Sequence, residues 1–225
     1  MRRAPSRPAA GEFETVIWDF NGTILDDLDL VVRSVNVQLA DRNLPELSVD
    51  RYRSLFGFPV EAYYRAIGLD PGRESMADLS AEFFDLYVPG MAACALYDGV
   101  RDALKTFRSG GARQFVLSAM EEGLLKRTID RLAISEFFDG IYGLAHQEAD
   151  SKVSRGRELI DDHDIRPGAA LMIGDTDHDA EVADALGMEV VLVAQGHQSE
   201  ERLRATGRTV VQSVGALRID AVSKA

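Results

Sequence analysis

A carboxylate follows the first apolar run of this chain. Thr15 to Trp18 are β-branched or aromatic, which is typical of a buried strand. Asp19 comes next, within the segment Asp19-Phe20-Asn21-Gly22-Thr23. Open α/β sheets bind ligands at the carboxyl ends of their strands, so we predict a reactive position for Asp19. Gly22 would allow a tight turn there, and Thr23 would add a hydroxyl close to Asp19. The alternative is an ordinary turn after a strand.

Four more polar residues occupy comparable positions further along the chain. Ser118 and Asp175 each follow a predicted strand, Lys152 opens a predicted helix, and Asp179 lies in the first turn of another. Taken singly, each has an ordinary explanation as a strand end, a solvated lysine or a surface carboxylate. Their order and spacing favour one shared site.

The elements that would position these residues alternate between strand and helix. Alternation of this kind predicts a parallel sheet with right-handed crossovers and helices on both faces, a doubly wound Rossmann-like α/β fold. The predicted strands are 15–18, 114–117, 138–142, 169–173, 190–193 and 209–211. The predicted helices between them are 100–107, 121–132, 151–162, 177–186 and 200–205.

Residues 27–96 have a different character, because their apolar residues recur at three- and four-residue steps. Helices are predicted at 27–41, 49–56, 60–67 and 76–87, and no strand is predicted among them. We therefore predict an all-helical cap at 27–96, inserted into an α/β core formed by 13–26 and 97–225, with a flexible tail at 1–12.

The composition restricts the partners of the chain. Its 225 residues are 46% hydrophobic, enough for a sizeable core, and the formal charge of −12 argues against nucleic acid or an anionic membrane as a partner. Cys94 is the single cysteine, so an internal disulfide is excluded and a cytoplasmic location is expected. No segment has the roughly 18 apolar residues of a transmembrane helix. A monomer or a homodimer is expected.

In these motifs the chain resembles the haloacid dehalogenase superfamily, from about Phe13 to the C-terminus. The matching residues are Asp19-x-Asn21-Gly22-Thr23, Leu117-Ser118, Lys152 and Gly174-Asp175-Thr176-x-x-Asp179. The helical insert is similar to the cap of the phosphoglycolate phosphatase-like branch. The first and fourth motifs are the specific ones, whereas the second and third depend on position.

The resemblance implies a Mg²⁺-dependent phosphatase of small phosphorylated metabolites. Asp19 would attack the phosphorus and become an aspartyl phosphate, which water then hydrolyses. The implied Mg²⁺ ligands are Asp19, the main-chain carbonyl of Asn21, and Asp175, with direct or water-mediated support from Asp179. The implied phosphoryl-binding groups are Ser118, Lys152 and the chain near Gly22, Thr23 and Ala119.

The chain departs from the phosphatase pattern at Asn21, where those enzymes have an acid/base aspartate. An amide cannot exchange a proton near neutral pH, and the lost help is worth about 10²- to 10⁴-fold in rate, or about 3 to 5 kcal/mol. The proton could instead come from water, from a neighbour such as Asp26 or Asp27, or be unnecessary for a good leaving group.

Other functions stay open at this point. The chain could be a slow or inactive member that binds a phosphorylated ligand in regulation, or it could catalyse another reaction, as dehalogenases and phosphoryl-transferring ATPases do. A competing fold is the two-component receiver domain, which also becomes phosphorylated on an aspartate near Mg²⁺. Receivers are much shorter, however, and their aspartate follows the third strand.

The predicted cap contains candidates for substrate recognition around the turn Phe56-Gly57-Phe58-Pro59. An arginine there could bind a second anionic group of a phosphoglycolate-like substrate, and Arg53 is our candidate. The set also includes Arg51, Tyr52, Tyr63, Tyr64 and Arg65. The alternative is that cap arginines are merely solvated. The four histidines lack metal-site spacing, so we assign them no role.

Overall fold

The computed structural model describes residues 13–144 and 151–217. Its main sheet has six parallel strands in the order β5-β4-β1-β6-β7-β8. These strands are β1 (Thr15–Trp18), β4 (Arg113–Glu121), β5 (Gly140–Leu144), β6 (Ala170–Gly174), β7 (Glu189–Val193) and β8 (Thr209–Val211). A further antiparallel pair joins β2 (Leu25–Asp26) to β3 (Ala95–Leu96).

Strand β1 lies at the centre of the sheet and is buried along its whole length. Trp18 at its end pairs with Val116 of β4 on one side and with Ile173 of β6 on the other. The carboxyl ends of these three strands therefore meet at one edge, and Asp19 is the first residue beyond β1. Two apolar clusters cover the two faces of the sheet, as expected when helices pack on both sides.

Nine α-helices are present within residues 13–144 and 151–217. Four follow one another between β2 and β3: α1 (Leu28–Asp41), α2 (Val49–Leu55), α3 (Val60–Ala66) and α4 (Met76–Gly90). The other five are associated with the sheet: α5 (Val100–Ser109), α6 (Glu122–Arg131), α7 (Lys152–Asp162), α8 (Asp177–Leu186) and α9 (Glu200–Ala205). None of these helices is both long enough and apolar enough to cross a membrane.

The structure confirms the predicted doubly wound α/β fold and corrects several details. Strand β5, predicted at 138–142, is Gly140–Leu144, and helix α4, predicted at 76–87, continues through Pro89 to Gly90. The stretch predicted to lack strands contains β3, a two-residue strand whose pairing with β2 joins the two ends of the helical insert. Strand β4 also continues past Leu117, where we predicted its end, because buried Ser118 and Met120 extend it to Glu121. The domain bounds stay a prediction, and the tail at 1–12, His146 and residues 218–225 lie outside the described residues.

Candidate active site

Lys152 connects Asp19, which directly follows β1, to Asp179, which lies in the first turn of α8. It is the first residue of α7, and its Nζ atom donates to Oδ1 of Asp19 at 2.5 Å and to Oδ1 of Asp179 at 2.6 Å. All three side chains are buried. A buried ammonium needs such partners, because transfer of an unpaired charge out of water is very costly. The negative charges of both carboxylates raise the pKa of Lys152 in spite of burial, so it stays protonated.

Asp179 is fixed by the first turn of α8. Its Oδ2 atom accepts hydrogen bonds from the Thr176 hydroxyl at 2.7 Å and from the N–H groups of Thr176 and Asp175 at 2.9 and 3.1 Å. With Lys152 on Oδ1, both oxygens of Asp179 are engaged. Burial would raise the pKa of Asp179, but the Lys152 charge and these hydrogen bonds outweigh it and lower the pKa. Asp179 is therefore ionised and oriented.

Asp175 follows β6 directly and is 1% exposed. Its Oδ1 atom accepts a hydrogen bond from the Thr23 hydroxyl at 3.0 Å, and its Oδ2 atom accepts one from the main-chain N–H of His197 at 2.6 Å. Burial, only partly offset by the His197 charge, raises the pKa of Asp175 to about 8. Burial likewise raises the pKa of Asp19 to about 6, against the opposing charge of Lys152. Both groups thus carry a desolvation cost when they are ionised.

The carboxylates of Asp19, Asp175 and Asp179 fit a divalent cation. Each offers an oxygen within 4.8 Å of the others, and hard cations such as Mg²⁺ prefer oxygen ligands. A cation would also compensate the desolvation cost of Asp19 and Asp175. Two glycines leave space for the Asp175 side chain, since a Cβ atom at Gly22 would lie 2.3 Å from Oδ2 of Asp175 and one at Gly196 would lie 2.2 Å from it. Gly22 also has φ +73°, a left-handed conformation that favours glycine.

The predicted phosphoryl-binding residues lie at the same edge of the sheet. Ser118 is buried, and its hydroxyl accepts from the Met120 N–H at 3.1 Å. The ladder between β4 and β5 is irregular between Leu117 and Glu121, and exposed Ala119 lies in this irregular stretch. The Gly22 N–H is already engaged, because it donates to Oδ1 of Asp27 at 3.0 Å. The roles predicted for Ser118 and Ala119 stay predictions.

Asn21 belongs to a buried hydrogen-bonded network. Its Nδ2 atom donates to Oδ2 of Asp27 at 2.8 Å and to the Tyr87 hydroxyl at 2.7 Å. Tyr87, from α4 of the helical insert, donates in turn to Oδ2 of Asp27 at 2.5 Å. Of the two neighbouring aspartates that the sequence offered, Asp27 is buried in this network, whereas Asp26 is exposed.

His197 is a site residue that the sequence reasoning missed. Its Nε2 atom donates to Oδ1 of Asp27 at 3.2 Å, and its Nδ1 atom lies 3.1 Å from the Tyr52 hydroxyl. Burial would lower the pKa of His197, but the Asp27 carboxylate outweighs burial and raises that pKa to about 9. The same pairing, against the effect of burial, lowers the pKa of Asp27. Its position just past the end of β7 was the available signal, since that is again the carboxyl edge of the sheet.

Arg53 joins the helical insert to the loop after β7. Its guanidinium donates to the Gln198 carbonyl at 3.0 Å and to the Ala194 carbonyl, and the Ser199 N–H donates to the Arg53 carbonyl at 3.0 Å. The side chain of Gln198 donates to the carbonyl of Phe56 at 3.0 Å. Arg53 therefore lies at the junction of insert and sheet, and its contact with substrate stays a prediction.

The other cap candidates lie in two kinds of surroundings. Arg51 is exposed, and exposed Arg65 pairs with Glu61 at 2.8 Å. Tyr52, Tyr63 and Tyr64 are buried.

The fold and the site together define an α/β enzyme with a buried lysine–carboxylate cluster at the carboxyl edge of its sheet. The chain belongs to the haloacid dehalogenase-like hydrolase family, whose sequence profile matches residues 16–193. Membership of this family and the similarity to relatives named as phosphatases show that the chain is a hydrolase of phosphate monoesters. They also confirm the resemblance to the phosphoglycolate phosphatase-like branch.

Three curated relatives illustrate the range of the family. A phosphoglycolate phosphatase of Caulobacter vibrioides is 29% identical over 205 residues, which cover 88% of this chain and 85% of that protein. A 5'-nucleotidase of Pseudomonas aeruginosa is 28% identical over 207 residues, 88% of this chain and 90% of the nucleotidase. The tyrosine-protein kinase PtkA of Mycobacterium tuberculosis is 28% identical over 199 residues, 88% of this chain and 68% of the kinase.

Solved structures share the architecture. The haloacid dehalogenase-like family protein SP0104 of Streptococcus pneumoniae superposes with a TM-score of 0.78 at 19% identity, covering 90% of this chain and 95% of that one. The structure of PtkA gives a TM-score of 0.76 at 26% identity, covering 92% of this chain and 96% of that one. The first likeness supports the fold alone.

Proposed function

We propose that the protein is a Mg²⁺-dependent phosphatase that hydrolyses a small phosphate monoester through an aspartyl phosphate on Asp19. The observation that carries the proposal is the buried cluster in which Lys152 contacts Asp19 and Asp179 beside Asp175. An ionised carboxylate next to a fixed ammonium, at the carboxyl edge of the sheet, is suited to attack an electron-poor phosphorus.

Asp19, Asp175 and the main-chain carbonyl of Asn21 would hold Mg²⁺. Bound there, the cation would neutralise charge on the carboxylate and on the phosphoryl oxygens. Asp179 has both oxygens engaged by Lys152, Thr176 and Asp175. It therefore holds Lys152 and the first turn of α8 in place, and its support of Mg²⁺ would be water-mediated.

The reaction would have two chemical steps, formation and hydrolysis of the aspartyl phosphate. In the first, an Asp19 oxygen forms a bond to phosphorus while the bond from phosphorus to the leaving oxygen breaks, and Lys152 and Ser118 bind the phosphoryl oxygens. In the second, water attacks the phosphorus, the bond to Asp19 breaks, and inorganic phosphate leaves. The leaving oxygen takes its proton from solvent, because the amide of Asn21 cannot transfer a proton near neutral pH.

The substrate in this proposal is a small phosphorylated metabolite of the phosphoglycolate type. Two observations support it. The chain is similar to proteins named phosphoglycolate phosphatase, and the helical insert lies against the sheet edge, where Tyr87 contacts Asp27 and Tyr52 contacts His197. Esters whose leaving oxygen has a low pKa would react fastest, since they need the least proton donation.

Hydrolysis of p-nitrophenyl phosphate, with Mg²⁺ or with EDTA, tests the proposal. We expect Mg²⁺-dependent turnover that Asp19→Asn reduces by at least about 10³-fold. The matched control is Asp41→Asn, which changes an exposed carboxylate at the end of α1 and should leave turnover unchanged. Turnover that survives Asp19→Asn, or that ignores EDTA, would overturn the proposal.

A second candidate is a slow or inactive protein that holds a phosphoryl group or a phosphorylated ligand in a regulatory role. The amide at position 21 favours it, because such a site lacks the group that would activate water. The similarity to PtkA raises the related possibility of phosphoryl transfer from Asp19 to a tyrosine hydroxyl. Release of labelled phosphate from the phosphorylated protein, with and without a tyrosine-containing peptide, separates these outcomes from hydrolysis.

A further inference from the structure

The side chain of Asn21 has both of its N–H bonds engaged. One points to Oδ2 of Asp27 at 2.8 Å and the other to the Tyr87 hydroxyl at 2.7 Å, while Tyr87 donates to the same Asp27 oxygen at 2.5 Å. These three polar groups form a closed triangle of hydrogen bonds. Asp27 and Tyr87 are 1% and 4% exposed and Asn21 is half-buried, so water has little access to the Asp27 and Tyr87 members of the triangle.

The triangle determines which way the amide faces. An ionised carboxylate can only accept hydrogen bonds, so the Asn21 nitrogen, and not its oxygen, must face Asp27. Asp27 is kept ionised by His197 and by the Gly22 N–H, both on its other oxygen. The remaining polar atom of Asn21 is Oδ1, which can accept a hydrogen bond but cannot donate one.

We propose that Asp27 and Tyr87 are positioning residues for Asn21, and that Asn21 and Asp27 are a matched amide–carboxylate pair. The inference rests on the proposed function, since it concerns the same Asp19 site. In this arrangement the Oδ1 atom of Asn21 is a hydrogen-bond acceptor that is suited to orient a water molecule. A carboxylate side chain cannot replace the Asn21 amide while Asp27 is present.

Electrostatic repulsion explains why an aspartate cannot replace Asn21 while Asp27 is present. An aspartate at position 21 in the same rotamer would bring a carboxylate oxygen to within about 3 Å of Oδ2 of Asp27, where two negative charges repel each other strongly in a buried setting. It would also remove the donor that now satisfies Asp27. Restoring the usual acid/base residue of the family therefore requires two changes, because position 27 must lose its charge when position 21 gains one.

A double-mutant cycle tests the pairing. The variants are Asn21→Asp, Asp27→Asn and the two combined, with Asp41→Asn as the control for loss of an exposed carboxylate. We expect Asn21→Asp to lower Tm by roughly 5–10 °C without raising kcat. The combined variant should recover at least half of that loss, because it rebuilds an amide–carboxylate contact with the partners exchanged. It should also exceed both single variants in kcat towards p-nitrophenyl phosphate at similar KM.

Tyr87→Phe supplies a second test of positioning. It removes the hydroxyl that binds both Asn21 and Asp27 but keeps the ring, so kcat should fall severalfold with little change in KM. The inference is overturned if Asn21→Asp alone raises kcat tenfold without loss of Tm. It is also overturned if the Tm change of the combined variant equals the sum of the Tm changes of Asn21→Asp and Asp27→Asn. The Tm cycle decides the inference even if no variant hydrolyses phosphate esters, an outcome that would sink the proposed function alone.

Discussion

The Nζ atom of Lys152 lies 2.5 Å from Oδ1 of Asp19, although 133 positions separate the two residues in the sequence. The lysine is 5% exposed and the aspartate 7%, so the pair is removed from water. Each charge makes the burial of the other possible, because either one alone would be costly. The contact links the first residue after the central strand to the first residue of α7.

Replacement of Lys152 by methionine should disable the site and destabilise it. Asp19 and Asp179 would then face each other without a compensating charge, so we expect kcat to fall by at least about 10³-fold. In EDTA the free energy of unfolding should fall by roughly 3–5 kcal/mol. Urea unfolding measures this loss, and the exposed Lys126→Met is the matched control. Equal stability of the two variants would contradict the buried ion pair.

Magnesium should stabilise the protein through Asp175. At a concentration of 100 times Kd, a ligand that binds the folded state alone contributes about 2.7 kcal/mol, so Tm should rise by roughly 5–10 °C. Asp175→Asn should abolish most of this rise because it removes a charged ligand. Thermal unfolding in Mg²⁺ and in EDTA measures both proteins. A full Mg²⁺ effect in Asp175→Asn would place the cation elsewhere.

Without metal, stability should fall as the pH rises from about 6.5 to 9. The pKa of Asp175 is raised from 3.8 to about 8, so its folded state binds a proton that is lost as the pH rises through 8. His197, raised from 6.5 to about 9, acts in the same direction. Each group contributes at most about 1.4 kcal/mol per pH unit. Urea unfolding in EDTA at several pH values should show this slope, and Asp175→Asn should reduce it. A flat or rising profile would contradict the assignment.

Arg53→Ala distinguishes a structural role from substrate binding. Because the guanidinium binds the carbonyls of Ala194 and Gln198, its removal should destabilise the protein by roughly 2 kcal/mol. Arg51→Ala, at an exposed position on the same helix, should change stability by less than about 0.5 kcal/mol. A raised KM with unchanged unfolding in Arg53→Ala would instead support the predicted contact with substrate.

Much of the fold could be predicted from the sequence, because its elements have strong local signals. Helices α8 (Asp177–Leu186) and α9 (Glu200–Ala205) begin and end where predicted, since Thr176 and Ser199 cap them with side-chain hydrogen bonds. Strand β3 could not be predicted, because its two residues have no periodicity and form a strand by pairing with β2. The end of β4 was missed since nothing in the sequence marks where its ladder becomes irregular.

The candidate site divides in the same way. Asp19 and Asp175 could be proposed because each directly follows a strand, and Asp179 because it lies in the first turn of the next helix within the same motif as Asp175. The contacts of Asn21 could not, since Tyr87 reaches it from a helix 66 positions away. The role of His197 could not be predicted either, since the sequence shows no metal-site spacing around it and its contacts are with the distant residues Asp27 and Tyr52.

Trapping the covalent intermediate tests the central claim most directly. The protein would be mixed with p-nitrophenyl phosphate and Mg²⁺, quenched in acid, and the peptide that carries Asp19 analysed by mass spectrometry. We predict one phosphoryl group on Asp19, removed by hydroxylamine and absent in Asp19→Asn or in EDTA. Mg²⁺-dependent turnover with no phosphoryl group on Asp19, and with activity retained in Asp19→Asn, would contradict the account.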